Sequence, residues 1–159
     1  MNKYKTGIFH WFGYILPFEE RIKLIKQAGY DYVMLWWEDE YYPYILNRME
    51  FNHILGYYDL KLDNVHLPFE NINHLWSENS TERNNHVELV KRWLNECKNC
   101  GTETVVIHAV QGADNIFDYS PGYDSFKKII REAENINIKV PVENTQTFQY
   151  AEFILKEIE

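Results

Sequence analysis

"YDYVMLWW", residues 30–37, decides the fold class. From Tyr32 to Trp37 no charged side chain interrupts the run. A half-solvated strand alternates apolar and polar residues, whereas a near-continuous apolar run marks a strand covered on both faces, as in parallel sheets. Upstream, "TGIFHWF" (6–12) reads as a first strand. Pro17 with Glu19 and Glu20 then opens a helix, because proline suits the first turn and acids suit the positive end of the dipole. Ile22, Leu24, Ile25 and Ala28 are its expected inner face, and Gly29 is its stop.

Downstream the alternation continues with a helix over 44–57 and a strand, "LDNVHLPF", over 62–69. A helix over 81–100 carries the inner stripe Val87, Val90, Leu94 and Cys97. "TETVVIHA" (102–109) is a fourth strand, and the helix over 120–136 turns Phe126, Ile129, Ile130 and Ala133 inward. "IKVPVEN" (138–144) is a fifth strand, followed by a helix over 147–158. Five βα units in strict order predict one α/β domain over 1–159, with a parallel sheet and right-handed crossovers. Two architectures fit: an open doubly wound sheet, which suits the length better, and a (β/α)8 barrel cut short. The glycine-rich phosphate loop that would support the first is missing, since "HWFGYILP" holds a single glycine.

The chain has 159 residues, 45% hydrophobic, with a net charge of −8. That is enough for one domain with a real core, and the charge with no dense Lys/Arg run weighs against a nucleic-acid partner. No apolar run reaches the length of a membrane span, and "MNKYKTGIFHWFGY" lacks the apolar region and cleavage site of a signal peptide, so a cytoplasmic location is expected. Cys97 and Cys100 close a helix, with Gly101 as its cap, whereas redox C-x-x-C pairs open one. Cys97 therefore reads as packing.

In parallel α/β folds chemistry gathers at the C-terminal strand ends. Here those ends carry His10 and Trp11, then Trp36, Trp37 and Glu38, then His66, His108, and finally Glu143 with Asn144. Two imidazoles and a carboxylate on three successive strands, His66, His108 and Glu143, form a ligand set for zinc or manganese. A carboxylate at the end of "VPV" is costly to bury unless paired or metal-bound. Trp36 and Trp37 point to opposite faces, so only one reaches a site; Trp37 is taken as the substrate contact, beside His10, Trp11, Glu38 and Asn144. His53, His74 and His86 are expected to be solvated.

"VHLPFENIN" (65–73), "VVIHA" (105–109) and "VPVENTQ" (140–146), with "QAGYDYVMLWWE" (27–38), resemble the xylose isomerase-like TIM barrels. That superfamily includes sugar-phosphate isomerases and epimerases and the three-zinc apurinic endonucleases. The resemblance implies a partial barrel of about five βα units. It makes His66 and His108 the counterparts of zinc ligands in the endonuclease branch. Glu143 matches a metal-bridging residue there. In the epimerase branch Glu143 matches a ligand of the single divalent ion, which also acts as one of two acid/base carboxylates.

The function implied is a divalent-metal-dependent sugar or sugar-phosphate isomerase or epimerase, with zinc or manganese favoured over magnesium and a carbohydrate as substrate. A zinc-dependent phosphodiesterase and a non-catalytic metal- or sugar-binding module are the alternatives. The family's barrel has eight strands, so its further Asp, His and Glu ligands have no positions among these five units. Open sheet edges then make a second copy of the chain the expected partner.

Overall fold

Among the described residues five strands alternate with five α-helices: β1 (Gly7–Phe9), α1 (Phe18–Gln27), β2 (Tyr32–Trp36), α2 (Phe51–Tyr57), β3 (Lys61–His66), α3 (Ser80–Asn99), β4 (Val105–His108), α4 (Tyr119–Asn135), β5 (Val142–Glu143) and α5 (Phe148–Glu157). The computed structural model describes residues 4–38, 47–112, 117–145 and 147–158. All five strands are parallel and lie in the order β1-β2-β3-β4-β5. A doubly wound sheet reverses its winding at a switch point. This one never reverses, which is the winding of a barrel wall and removes the open doubly wound alternative.

Side chains alternate across each strand, and the two faces differ in burial. Val33, Leu35 and Trp37, Val65 and Leu67, and Val105, Ile107 and Ala109 are at most 1% exposed and form the core with the helices. The other parity, Met34 and Trp36, Asn64 and His66, Val106 and His108, is only half-buried. The apolar run of β2 is therefore sealed on its helix side, while its second face is less covered among the described residues.

The most secure helix, α3, is capped by the Asn79 side chain, which accepts from the Thr81 and Glu82 amides at 3.0 and 3.4 Å. Its stripe of Val87, Val90, Leu94 and Cys97 is fully sequestered, each aliphatic chain contributing about 1.5–3 kcal/mol of burial. It ends at Cys100, and Gly101 takes φ +79°, a conformation that glycine adopts without penalty. Two inward expectations fail on α1: Leu24 is 44% exposed and Ala28 is exposed, because only Ile22 and Ile25 fall on the narrow face this short helix turns to the sheet. Part of the expected 44–57 helix lies outside the described residues; within them α2 is preceded by a 3-10 turn, Arg48–Glu50.

Between β3 and α3 hydrophobic periodicity marks no element, yet a 3-10 helix, Ile72–Trp76, drives Trp76 into the core. The Trp76 indole N–H donates to the Ala109 carbonyl at 2.8 Å, and its ring lies against Gly122 of α4, where no larger residue fits. Burial pushes the Cys97 and Cys100 thiols up, and both are free. Among the described residues no helix is long and apolar enough to cross a membrane.

Candidate metal centre

Strand pairing brings the site together. His108 and Glu143 are register partners on β4 and β5, and His66 pairs with Val106, two residues before His108 on the same face. All three side chains therefore emerge from the half-buried face at neighbouring strand ends. One donor atom from each of His66, His108 and Glu143 can be chosen so that all lie within 4.8 Å of one another. Glu143 Oε2 is 3.0 Å from His66 Nε2 and 3.6 Å from His108 Nε2. Donors around a tetrahedral zinc stand about 3.3 Å apart, so the two contacts straddle that edge length.

The Leu67 carbonyl sets which His66 nitrogen faces Glu143. His66 Nδ1 lies 2.8 Å from the Leu67 carbonyl oxygen, which only accepts, so Nδ1 carries the hydrogen. In the neutral ring Nε2 then presents a lone pair to the Glu143 carboxylate at 3.0 Å. An imidazole nitrogen and a carboxylate oxygen at that distance share either a proton or a cation. Burial, then the neighbouring His66, hold the His108 imidazole below its ordinary range, against the opposing pull of Glu143. A neutral imidazole is the form that binds metal.

The surroundings are aromatic. A cleft of about 410 Å³ is lined by Phe9, Trp11, Trp36, His66, Phe69 and Glu143. A second, of about 310 Å³, continues it past Phe69, His108, Gln111, Gly112, Glu143 and Thr145. The Thr145 hydroxyl donates to the Val110 carbonyl at 2.8 Å, tying the end of β5 to that of β4. Among the described residues, neither lining contains a lysine or arginine. Arg21 is buried, with the Trp11 ring 5.4 Å from its guanidinium.

Of the expected substrate contacts, Trp11 lines this cleft, and the four others do not. His10 is 3% exposed, on the opposite face from Phe9 and Trp11, where it packs on Phe18 and accepts from the Trp36 amide at 3.3 Å. Trp37 is 1% exposed on the helix side, its indole N–H donating to Glu96 at 3.3 Å. Strand alternation is the reason in both cases, and it puts Trp36 where Trp37 was expected. Glu38 lines a separate cleft of about 520 Å³ with Trp37 and Arg48. Asn144 is exposed beyond β5 and lines neither part of the cleft.

Phe9 and Phe69 went unforeseen; Phe69 stood in plain view in "HLPF". Away from the cleft, His53 is exposed, as expected, but His86 is 5% exposed, not solvated. It packs on the half-exposed His74, which pairs with Glu82 at 3.4 Å, and burial with some help from His74 pushes its pKa down to about 4.

Comparison with solved structures fixes the architecture. A D-tagatose 3-epimerase-like protein superposes with a TM-score of 0.75 at 20% identity, over 98% of this chain and 61% of that one. D-allulose 3-epimerase from Methylomonas sp. gives 0.70 at 15%, over 96% and 58%. An AP endonuclease of family 2 from Brucella melitensis gives 0.64 at 18%, over 98% and 64%. At these identities the likeness establishes the fold, and the chain spans roughly three fifths of each of these structures. No curated protein sequence matches. The profile of the xylose isomerase-like TIM barrel matches residues 22–158, and the chain belongs to that family.

Proposed function

We propose that this chain carries part of a divalent-cation-assisted sugar isomerase or epimerase site that moves a proton next to a carbonyl. The observation that carries the reading is the convergence of His66, His108 and Glu143, with donor atoms within 4.8 Å of one another. Their chemistry fits a cation: two imidazoles and a carboxylate suit zinc best, manganese next, and magnesium least. When bound, such an ion polarises the carbonyl and hydroxyl oxygens of a ketose and acidifies the C–H between them. Glu143, 46% exposed, reaches the cleft and is the proton-accepting carboxylate. Trp11 and Trp36 offer flat walls for a sugar face.

Several of the similar structures are named as ketose 3-epimerases, which supports a carbohydrate substrate. A second reading, zinc-dependent phosphodiester cleavage, is favoured by the imidazole-rich donor set and by likeness to the Brucella protein. It is weakened by a cleft whose described lining residues include no lysine or arginine. The test is metal content after dialysis, combined with turnover of free ketoses, ketose phosphates and abasic-site DNA. Ketose epimerisation that chelator abolishes is the expected result. Bound metal without turnover of any substrate would make this a binding module, and absence of metal uptake would sink both catalytic readings. We propose further that a second copy covers the edge strands β1 and β5, which a stable monomer in gel filtration would disprove.

A further inference from the structure

We propose that Phe69 is a positioning residue of the cation site: its ring face sets the plane of the His108 imidazole, where a hydrogen bond sets that of His66. The proposal rests on reading His66, His108 and Glu143 as ligands. Imidazoles that bind metal ordinarily donate their second ring N–H to a carbonyl or carboxylate, which fixes tautomer and orientation. His66 does this through Nδ1 and the Leu67 carbonyl at 2.8 Å. His108 does not: its Nδ1 is buried and has no hydrogen-bond partner. The imidazole χ2 torsion is broad and roughly two-fold, so without another restraint Nε2 turns away from Glu143.

The restraint is a stack of rings. Phe69 lies parallel to His108, with centroids 4.7 Å apart and planes 5° from each other. Trp36 lies parallel to Phe69 as well, at 6.0 Å and 8°. Phe69 also meets His66 edge-on, at 6.2 Å and 89°, so one ring touches both imidazoles. Its own backbone is well held. Leu67, two residues earlier, is 1% exposed and its amide donates to the Val106 carbonyl at 3.0 Å, while Pro68 fixes the intervening φ. Trp36 stacks on Phe69, Phe69 stacks on His108, and His108 Nε2 faces Glu143.

The test compares Phe69→Leu, which keeps most of the bulk, with Phe69→Tyr, which keeps the flat face. Zinc affinity is read by competition with a chromophoric chelator, ligand geometry by the visible band of the cobalt-loaded protein, and the metal-free His108 ring by its NMR tautomer signals and NOEs. Phe69→Leu is expected to weaken zinc about tenfold, the scale of a lost outer-shell partner, and to shift the cobalt band. Phe69→Tyr is expected to retain the wild-type band and an affinity within about threefold of wild type. Unchanged affinity and band in Phe69→Leu overturn the proposal, and so does equal loss in both variants, since that reports volume and not a ring face. If the wild-type protein takes up no cation, the ligand reading fails by itself. The metal-free spectra then decide the role of Phe69: a single His108 orientation in wild type and Phe69→Tyr that averages in Phe69→Leu upholds it, and identical His108 signals in all three overturn it.

Discussion

Replacing Glu143 by glutamine keeps the shape of the side chain and removes one negative charge from the cation site. Two unit charges about 4 Å apart interact by about 4 kcal/mol at an effective dielectric near 20. Glu143 is 46% exposed, so solvent screening reduces this, to roughly 2–3 kcal/mol, or roughly 30- to 150-fold in affinity. The fold should notice little, because the carboxylate's contacts at this site are the two imidazoles at 3.0 and 3.6 Å. A metal-free melting midpoint within about 2 °C of wild type is expected. Zinc at about 100 times its dissociation constant stabilises the wild-type protein by about 2.7 kcal/mol, roughly 5–10 °C for a chain of this size. At the same zinc concentration a hundredfold weaker variant gains only about 0.4 kcal/mol. Thermal melts with and without zinc, paired with chelator competition, read both quantities. Equal zinc-induced shifts in wild type and Glu143→Gln, with equal metal-free midpoints, would mean that these residues do not form the site.

Acid should destabilise the fold through His86. Its folded pKa is pushed from 6.5 to about 4, so between those values the unfolded chain holds a proton that the folded chain refuses. Stability is complete above the unfolded value and falls as pH drops through the window, by at most about 3 kcal/mol. His86→Leu should flatten this part of the urea-midpoint profile between about pH 7 and pH 4.5, and an unaltered slope would contradict it. Gly122→Ala should cost about 2–3 kcal/mol, because the new methyl group meets a Trp76 ring held by its bond to Ala109 and by packing on Tyr150. A loss below about 0.5 kcal/mol in urea unfolding would show that the ring has room to move.

The class of fold was legible because burial leaves a plain mark on parallel strands. "YDYVMLWW" and "TETVVIHA" became β2 and β4, and the α3 stripe of Val87, Val90, Leu94 and Cys97 is as buried as its spacing demanded. Winding direction was not legible, since local pattern is the same for a barrel wall and a doubly wound sheet; only the order β1-β2-β3-β4-β5 separates them. Trp76 was hidden for a different reason: a five-residue 3-10 helix is too short to show a hydrophobic period. His86 misled because an imidazole reads as solvated by type, although Leu89, Val90 and Trp93 follow it at helical spacing, and nothing local announces that the Ile72–Trp76 turn folds over it.

Strand parity explains where the structure places each residue singled out at the strand ends. The ladder pairs Trp36 with His66, His66 with Val106, and His108 with Glu143, so Trp36, His66, His108 and Glu143 share one face. His10 and Trp37 each sit one residue out of step with cleft-lining neighbours, Phe9 and Trp36, and a one-residue step on a strand is a change of face. Chemical type at a strand end is therefore insufficient without register. Trp37 is as aromatic as Trp36 and lies in the core. Once Leu35 and Trp37 are assigned to the helix side by their burial, pairing alone carries Trp36, His66, His108 and Glu143 to the other side. The same parity delivers the Trp36 ring to Phe69, so the ligand donors and their aromatic support come from one alternation running through four adjacent strands.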